Sequence, residues 1–89
     1  MLKVKSQPNL CKKQEALIIL MEECGELVQE CSKNLRRSEV FDRTKFKEEV
    51  GDVYTMIDLC VEWDLLSWTE IEERRDYKRK KLSKWSDLV

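Results

Sequence analysis

The chain has 89 residues, of which 42% are hydrophobic and 39% are charged, and its net charge is −1 at pH 7. This composition predicts one folded domain over residues 1–89, with a core small enough to need a partner subunit or a metal. The near-zero net charge argues against a general attraction to nucleic acid or anionic lipid. The sequence has no apolar run of about 20 residues, which a membrane span requires. The opening "MLKVKSQPN" lacks the apolar segment of a secretion signal, so we expect a cytosolic protein.

An apolar stripe predicts a first helix from about Pro8 to Leu35. Either Ser6 or Asn9 can cap this helix, and proline is favoured in its first turn. Because the apolar residues recur three and four positions apart, we expect them to face the core. The stripe consists of Leu17, Leu20, Met21, Cys24, Leu27, Val28, Cys31 and Leu35.

Two of the four cysteines, Cys24 and Cys31, fall on this stripe. The chain has no histidine and no C-x-x-C pair, which argues against a structural zinc site. We interpret both as small core residues of a protein in a reducing compartment, rather than as disulfide or redox groups.

Two further helices follow polar, turn-like segments. The second is predicted to begin near Asp42 or Thr44, either of which can cap it, and to end near Trp63. The third begins after Ser67, with Glu70 placed to complete a capping box, and it is strongly basic. The apolar stripe of the second helix consists of Phe46, Val50, Val53, Ile57, Cys60 and Val61. With no strand pattern, we expect an all-α protomer whose first two helices form an antiparallel hairpin.

Two similar acidic segments interrupt the helical stripes, "EECGEL" at 22–27 and "EEVGDV" at 48–53. On the second helix, a wheel places Glu49 and Asp52 inside the apolar arc. Two carboxylates among packed apolar side chains must be neutralised, either by a bound cation or by a partner lysine or arginine. A run of acids that simply faces water is the alternative interpretation.

The acids of the first helix lie opposite its main stripe, but they too have apolar neighbours. Ile19 lies one turn from Glu23 on the acidic side, and residues 16–21 are apolar all round. We therefore expect the acidic face to be at least partly buried. Gly25 and Gly51 each cost a helix about 1 kcal/mol relative to alanine, which suggests close approach of a backbone or ligand there, or tight helix packing.

The residue types of these segments indicate a hard cation. Without histidine or cysteine, the oxygen ligands Glu23, Glu26, Glu49 and Asp52 favour Mg²⁺ or Mn²⁺, and there is no EF-hand loop for calcium. Because Mg²⁺ is commonly shared with substrate phosphates, the pattern favours phosphate chemistry.

The basic third helix offers complementary charge. Arg75, Lys78 and Arg79 are candidates for contact with substrate phosphate. The alternative is that these side chains cover apolar surface and interact with the helix dipole.

"EECGE" followed by "EVGD" resembles the E-E-x-x-E … E-x-x-D pattern of the MazG-like, all-α nucleoside triphosphate pyrophosphohydrolases. The resemblance covers roughly residues 14–63. It implies Mg²⁺-dependent cleavage between the α- and β-phosphates of a (deoxy)nucleoside triphosphate, giving a monophosphate and pyrophosphate, with Mn²⁺ as a possible substitute. It also implies a helical bundle completed by dimerisation, often with further pairing into tetramers.

The same resemblance assigns roles to individual residues. The metal ligands map onto Glu23, Glu26, Glu49 and Asp52. Glu22 matches the first glutamate of the motif, which orients a ligand, binds metal or assists the attacking water. Either Glu22 or Glu23 is then the candidate to accept the proton of that water.

Two other functions compete with this hypothesis. A non-catalytic helical module that dimerises or binds a partner helix would explain the apolar stripes, but not carboxylates inside an apolar arc. A nucleic-acid binder would use the third helix, against which the acidic first two helices argue. Under the pyrophosphohydrolase hypothesis, we expect a nucleoside triphosphate and further copies of the chain as partners, and neither nucleic acid nor a membrane.

Overall fold

The structure, a computed structural model, describes residues 10–36 and 40–89, which form three helices and no strand. They are α1 (Lys12–Arg36), α2 (Arg43–Glu62) and α3 (Trp68–Leu82). The prediction of an all-α protomer with three helices is confirmed for the described residues. The predicted caps Ser6 and Asn9, and Pro8, lie outside them.

The starts of α2 and α3 are set by capping residues, as the sequence predicts. The side chain of Asp42 accepts a hydrogen bond from the Lys45 N–H at 3.0 Å. At α3, the Ser67 side chain accepts from the Glu70 N–H at 3.2 Å, and the Glu70 side chain accepts from the Ser67 N–H at 2.9 Å. Both arrangements satisfy backbone donors that a helix start otherwise leaves unpaired.

Helices α1 and α2 form an antiparallel hairpin. Near the start of α1, Ala16 packs in the buried cluster with Met56 and Cys60 from the second half of α2. At the other end, Asn34 Oδ1 accepts from the Asp42 N–H at 2.9 Å, which ties the end of α1 to the start of α2. The two helices therefore run side by side along most of their length.

The face of α1 that packs against α2 is the acidic one, so the prediction that its apolar stripe forms the core is wrong for the described protomer. The buried residues of α1 are Ala16, Glu23 and Glu30. From the stripe, Met21 is 70% exposed and Val28 68% exposed. Only two of the eight predicted stripe residues are half-buried by this hairpin, and the rest are exposed. The half-buried residues are Leu20 and Leu27.

The interpretation of two cysteines as core residues is wrong for the described protomer, for the same reason. Cys24 and Cys31 are exposed because the apolar stripe of α1 points away from α2. Cys60, from α2, is the buried cysteine of the described residues, and it lies in the hydrophobic cluster. The prediction for the apolar stripe of α2 agrees better with the structure. Most residues of that stripe are buried or half-buried, although Val50 is 41% exposed.

A short turn after α2 returns the chain to the core. Asp64 has φ 63°, and the Leu65 N–H donates to the Cys60 carbonyl at 2.9 Å. This turn brings Leu65 and Leu66 against the hydrophobic cluster.

Helix α3 makes few packing interactions with the hairpin. Trp68 stacks on Tyr54 of α2 with ring centroids 5.8 Å apart, and Ile71 is half-buried. From Glu72 to Lys81, every residue is exposed. The basic part of α3 therefore projects into solvent.

Within residues 10–36 and 40–89, no helix combines the length and the apolar character that crossing a bilayer requires.

Candidate metal centre

Four carboxylates converge where the middle of α1 faces the first half of α2. Two come from α1 and two from α2, and one oxygen of each lies within 4.8 Å of the others. This acidic cluster consists of Glu23, Glu26, Glu49 and Asp52. The antiparallel hairpin thus brings together all four residues that the sequence identifies as metal ligands.

The members of the acidic cluster differ in burial. Glu23 is 6% exposed and Glu49 is 5% exposed, whereas Glu26 is half-buried. Asp52 is exposed, so the expectation that it packs among apolar side chains is wrong. The reason is that α2 presents Glu49 and Met56 to α1, and Asp52 lies at the edge of that face. The acidic cluster is therefore closed on one side and open to solvent on the other.

The buried carboxylates are not satisfied by the protein. The Oε2 atoms of Glu23 and Glu49 are buried and have no hydrogen-bond partner among the described residues. A buried acceptor without a partner costs about 1–3 kcal/mol, and more when it is charged. A ligand that supplies positive charge would satisfy both atoms.

The electrostatics of the acidic cluster also favour the addition of positive charge. Burial raises the pKa of Glu23 above its ordinary value of 4.5, and the charges of Glu26, Asp52 and Glu49 raise it further. A side-chain hydrogen bond with Glu26 acts in the same direction. Without a cation, Glu23 therefore holds a proton more readily than a glutamate in water.

One lysine partly neutralises the acidic cluster. Lys45 Nζ lies 3.0 Å from Glu49 Oε1 and 3.9 Å from Glu48 Oε2. The hydrogen bond and charge of Glu49 are the main causes that raise the pKa of Lys45 above 10.5. No other cation among residues 10–36 and 40–89 forms an ion pair with the acidic cluster. Of the two remedies predicted for buried acids, a partner lysine is present at Glu49.

The third buried acid of the described residues, Glu30 of α1, has a structural partner instead. Glu30 is 2% exposed, and the Asn34 side-chain amide donates to its Oε2 at 2.8 Å. Asn34 is also the residue that accepts from the Asp42 N–H. Glu30 therefore contributes to the end of the hairpin, and its environment differs from that of Glu23.

The two glycines do not mark a close approach of backbones. A Cβ atom added at Gly25 or Gly51 would have no neighbour within 4 Å among the described residues. Both glycines are exposed, on faces that point away from the hairpin contact. The prediction that a backbone approaches closely or packs tightly at the glycines is therefore wrong among the described residues, and the approach of a ligand stays a prediction.

The remaining predicted site residues lie outside the acidic cluster. Glu22 is half-buried and precedes Glu23 on α1. On α3, Arg75 pairs with Asp76 at 3.1 Å, and Lys78 Nζ lies 5.9 Å from the centroid of the Trp85 ring. Arg79 is exposed. No ion pair joins these three basic residues to the acidic cluster in the described part of the protomer, and their contact with phosphate stays a prediction.

Two lysines that the sequence reasoning did not place lie at a polar cleft beside the acidic cluster. Lys33 of α1 and Lys45 of α2 line this cleft together with Glu26, Glu30 and Glu49. The sequence signal for Lys45 is its position four residues before Glu49, a spacing that brings side chains together on a helix. For Lys33, only the packing of the hairpin places it near α2.

Comparison of the chain with family models, with curated proteins and with solved structures returned no significant match.

Proposed function

We propose that the protein is a divalent-cation-dependent nucleoside triphosphate pyrophosphohydrolase of the MazG-like type. It would cleave the bond between the α- and β-phosphates of a (deoxy)nucleoside triphosphate to a monophosphate and pyrophosphate. The motif resemblance supplies the reaction, and the convergence of the same motif residues in the hairpin supports it. In the absence of a matching family model, the proposal rests on these residues and their geometry.

The observation that carries the proposal is the pair of buried Oε2 atoms of Glu23 and Glu49, for which the described part of the chain offers no hydrogen-bond partner. They fit a hard cation, because an all-oxygen donor set suits Mg²⁺ or Mn²⁺. Glu26 and Asp52 would complete the set from the more exposed side. When bound, such a cation supplies positive charge that offsets the charge of the phosphate oxygens.

The residues of the chain would divide the remaining work. The acidic cluster would position the ligand, and the exposed side at Asp52 leaves access for a phosphate chain. Since Glu23 would be engaged with the cation, we favour Glu22 as the residue that accepts the proton of the attacking water. Glu22 is half-buried, which limits its hydration and suits that role.

The first experiment is an activity assay on the purified protein. Each ribo- and deoxyribonucleoside triphosphate is incubated with Mg²⁺, with Mn²⁺ or with EDTA, and the products are separated. We expect metal-dependent formation of monophosphate and pyrophosphate. Diphosphate and phosphate as products, or turnover in EDTA, would refute the proposed reaction.

A pair of matched variants tests whether the acidic cluster carries the activity. Glu49→Gln removes a buried charge and should lower activity at least about 100-fold, given that even outer-shell changes cost 10–100-fold. Glu62→Gln makes the same substitution at the exposed end of the same helix and should leave activity unchanged. Circular dichroism should show equal helix content in both. Equal activity of the two variants would remove the acidic cluster from the mechanism.

The exposed stripe of α1 supports a second proposal, that the protein is a homo-oligomer. Six of its residues lie alternately four and three positions apart, which is the spacing of a helix–helix seam. They are Leu17, Met21, Cys24, Val28, Cys31 and Leu35. The buried hydrophobic core of the described protomer consists of only Ala16, Met56 and Cys60, which is small for a chain of this length. A second copy packed on the stripe would enlarge it.

The oligomer is tested by sedimentation equilibrium of the wild-type protein at micromolar concentration. We expect a dimer, or a tetramer built from dimers. A monomer at all concentrations would refute this proposal and leave the enzymatic one standing. The non-catalytic module is the outcome if the protein oligomerises but neither binds a divalent cation nor turns over a nucleotide.

The free thiols of the described cysteines are typical of a reducing compartment, which supports a cytoplasmic location.

A further inference from the structure

Lys45 occupies the acidic cluster from its solvent side. Its backbone lies in the first turn of α2, and its side chain reaches one turn along the helix to Glu49 Oε1, at 3.0 Å. The lysine side chain is 49% exposed, whereas the Glu49 side chain is 6% exposed. The anion is therefore buried in the hairpin, whereas about half of the lysine side chain is accessible to water.

The ion pair uses only part of Glu49. Its Oε1 pairs with the lysine, while its Oε2 is buried and has no hydrogen-bond partner in residues 10–36 and 40–89. One ammonium group also leaves most of the negative charge of the acidic cluster uncompensated. Lys45 thus acts as an incomplete counter-ion, in a place where a divalent cation would meet it and be repelled by it.

If a cation displaced Lys45 from Glu49, the lysine could pair instead with the phosphate oxygens of the ligand. It lines the polar cleft beside the acidic cluster, where Lys33 contributes a second positive charge from α1. A phosphate chain that accompanies the cation would present its oxygens to this cleft. The exposed basic residues of α3 have no such position relative to the acidic cluster in the described protomer.

We propose that Lys45 is an exchangeable counter-ion, which pairs with Glu49 in the metal-free protein and turns to the phosphates of the ligand when a divalent cation binds. This inference rests on the proposed function, because it assumes that the acidic cluster takes a cation. It adds a residue that neither the motif nor the basic third helix identifies.

The exchange predicts two effects of opposite sign when the charge is removed. Lys45→Met should bind Mn²⁺ about 3- to 10-fold more tightly than wild type, because the competing ion pair is gone. At saturating Mg²⁺, the same variant should bind inorganic tripolyphosphate about 3- to 10-fold more weakly. A lysine with a purely structural role would not produce opposite changes in the two affinities.

Mn²⁺ binding is measured on the metal-free protein by the loss of the free-ion paramagnetic resonance signal, and tripolyphosphate binding is measured by calorimetry. Lys47→Met is the matched control, since Lys47 is exposed two residues further along α2 and forms no ion pair with a described residue. Lys45→Arg keeps the charge, and both control variants should bind both probes like wild type.

Each outcome has a definite meaning. Tighter Mn²⁺ binding with weaker tripolyphosphate binding in Lys45→Met supports the exchange. Unchanged or weaker Mn²⁺ binding in that variant overturns it, as does unchanged tripolyphosphate binding. If no variant and no wild-type sample binds Mn²⁺, the proposed metal-dependent function itself is refuted.

Discussion

The two long faces of α1 reverse the usual relation between polarity and burial. The face towards α2 contains three buried residues, of which Glu23 and Glu30 are acids. The opposite face contains the apolar stripe, and its last residue, Leu35, is 87% exposed. Burying carboxylates while apolar side chains face water is costly in both respects.

The comparison indicates that each face of α1 is incomplete in the isolated protomer. The acidic face has too little positive charge, because Lys45 pairs with Glu49 Oε1 while two buried carboxylate oxygens have no partner among the described residues. The apolar face lacks a packing partner, because nothing among the described residues covers Met21 or Val28. A cation on one face and a second copy on the other would remove both deficits.

Of the variants that test this comparison of the two faces, the one with the largest expected effect places a charge on the apolar face. Val28→Glu should weaken the dimer at least about 30-fold, or about 2 kcal/mol, because an unpaired charge would be buried in the interface. Sedimentation equilibrium measures this change. The control is Thr55→Glu, which introduces the same charge at an exposed position on α2. Equal weakening of the dimer by both variants, or no weakening by either, would show that the stripe does not form the dimer interface.

A smaller effect is expected when a charge is removed from the acidic face. In EDTA at pH 7, Glu23→Gln should be about 1 kcal/mol more stable than wild type, which is about 4–8 °C in melting temperature. The variant loses a carboxylate that is unfavourable beside Glu26, Asp52 and Glu49. With Mg²⁺ present, wild type should gain stability and the variant much less. Thermal denaturation at fixed protein concentration measures both.

The same variant has a defined pH dependence. The folded-state pKa of Glu23 is raised from 4.5, so the folded protein binds this proton more tightly than the unfolded chain. That contribution to wild-type stability is fully present below pH 4.5 and is lost as the pH rises through the raised pKa. The advantage of Glu23→Gln should therefore be largest at neutral pH and disappear below pH 4.5. An advantage that does not change with pH would contradict this explanation.

The smallest effect is expected at Gly51, an exposed position on α2 that lies on neither of the two faces of α1. Gly51→Ala should stabilise the protein by about 0.5–1 kcal/mol, because alanine is the better helix former and its Cβ meets nothing. Urea denaturation measures the difference. A destabilised variant would show that Gly51 is approached by something beyond the described protomer, such as a second copy or a ligand.

The sequence by itself determined the starts of two helices and the residues of the acidic cluster. Asp42 and the Ser67–Glu70 capping box begin α2 and α3 where predicted, since caps act over a few residues. The three- and four-residue spacing of the acids placed Glu23 and Glu26 on one side of α1. Such short-range relations can be predicted from the sequence without knowledge of the fold.

Only the tertiary structure decided which side of α1 is inside. The helix has two arcs that can be buried, and periodicity shows that they differ without showing which one meets α2. The same packing left Asp52 exposed and brought Lys33 of α1 and Lys45 of α2 to one cleft. These features depend on how two helices are rotated against each other, and contacts between distant residues set that rotation.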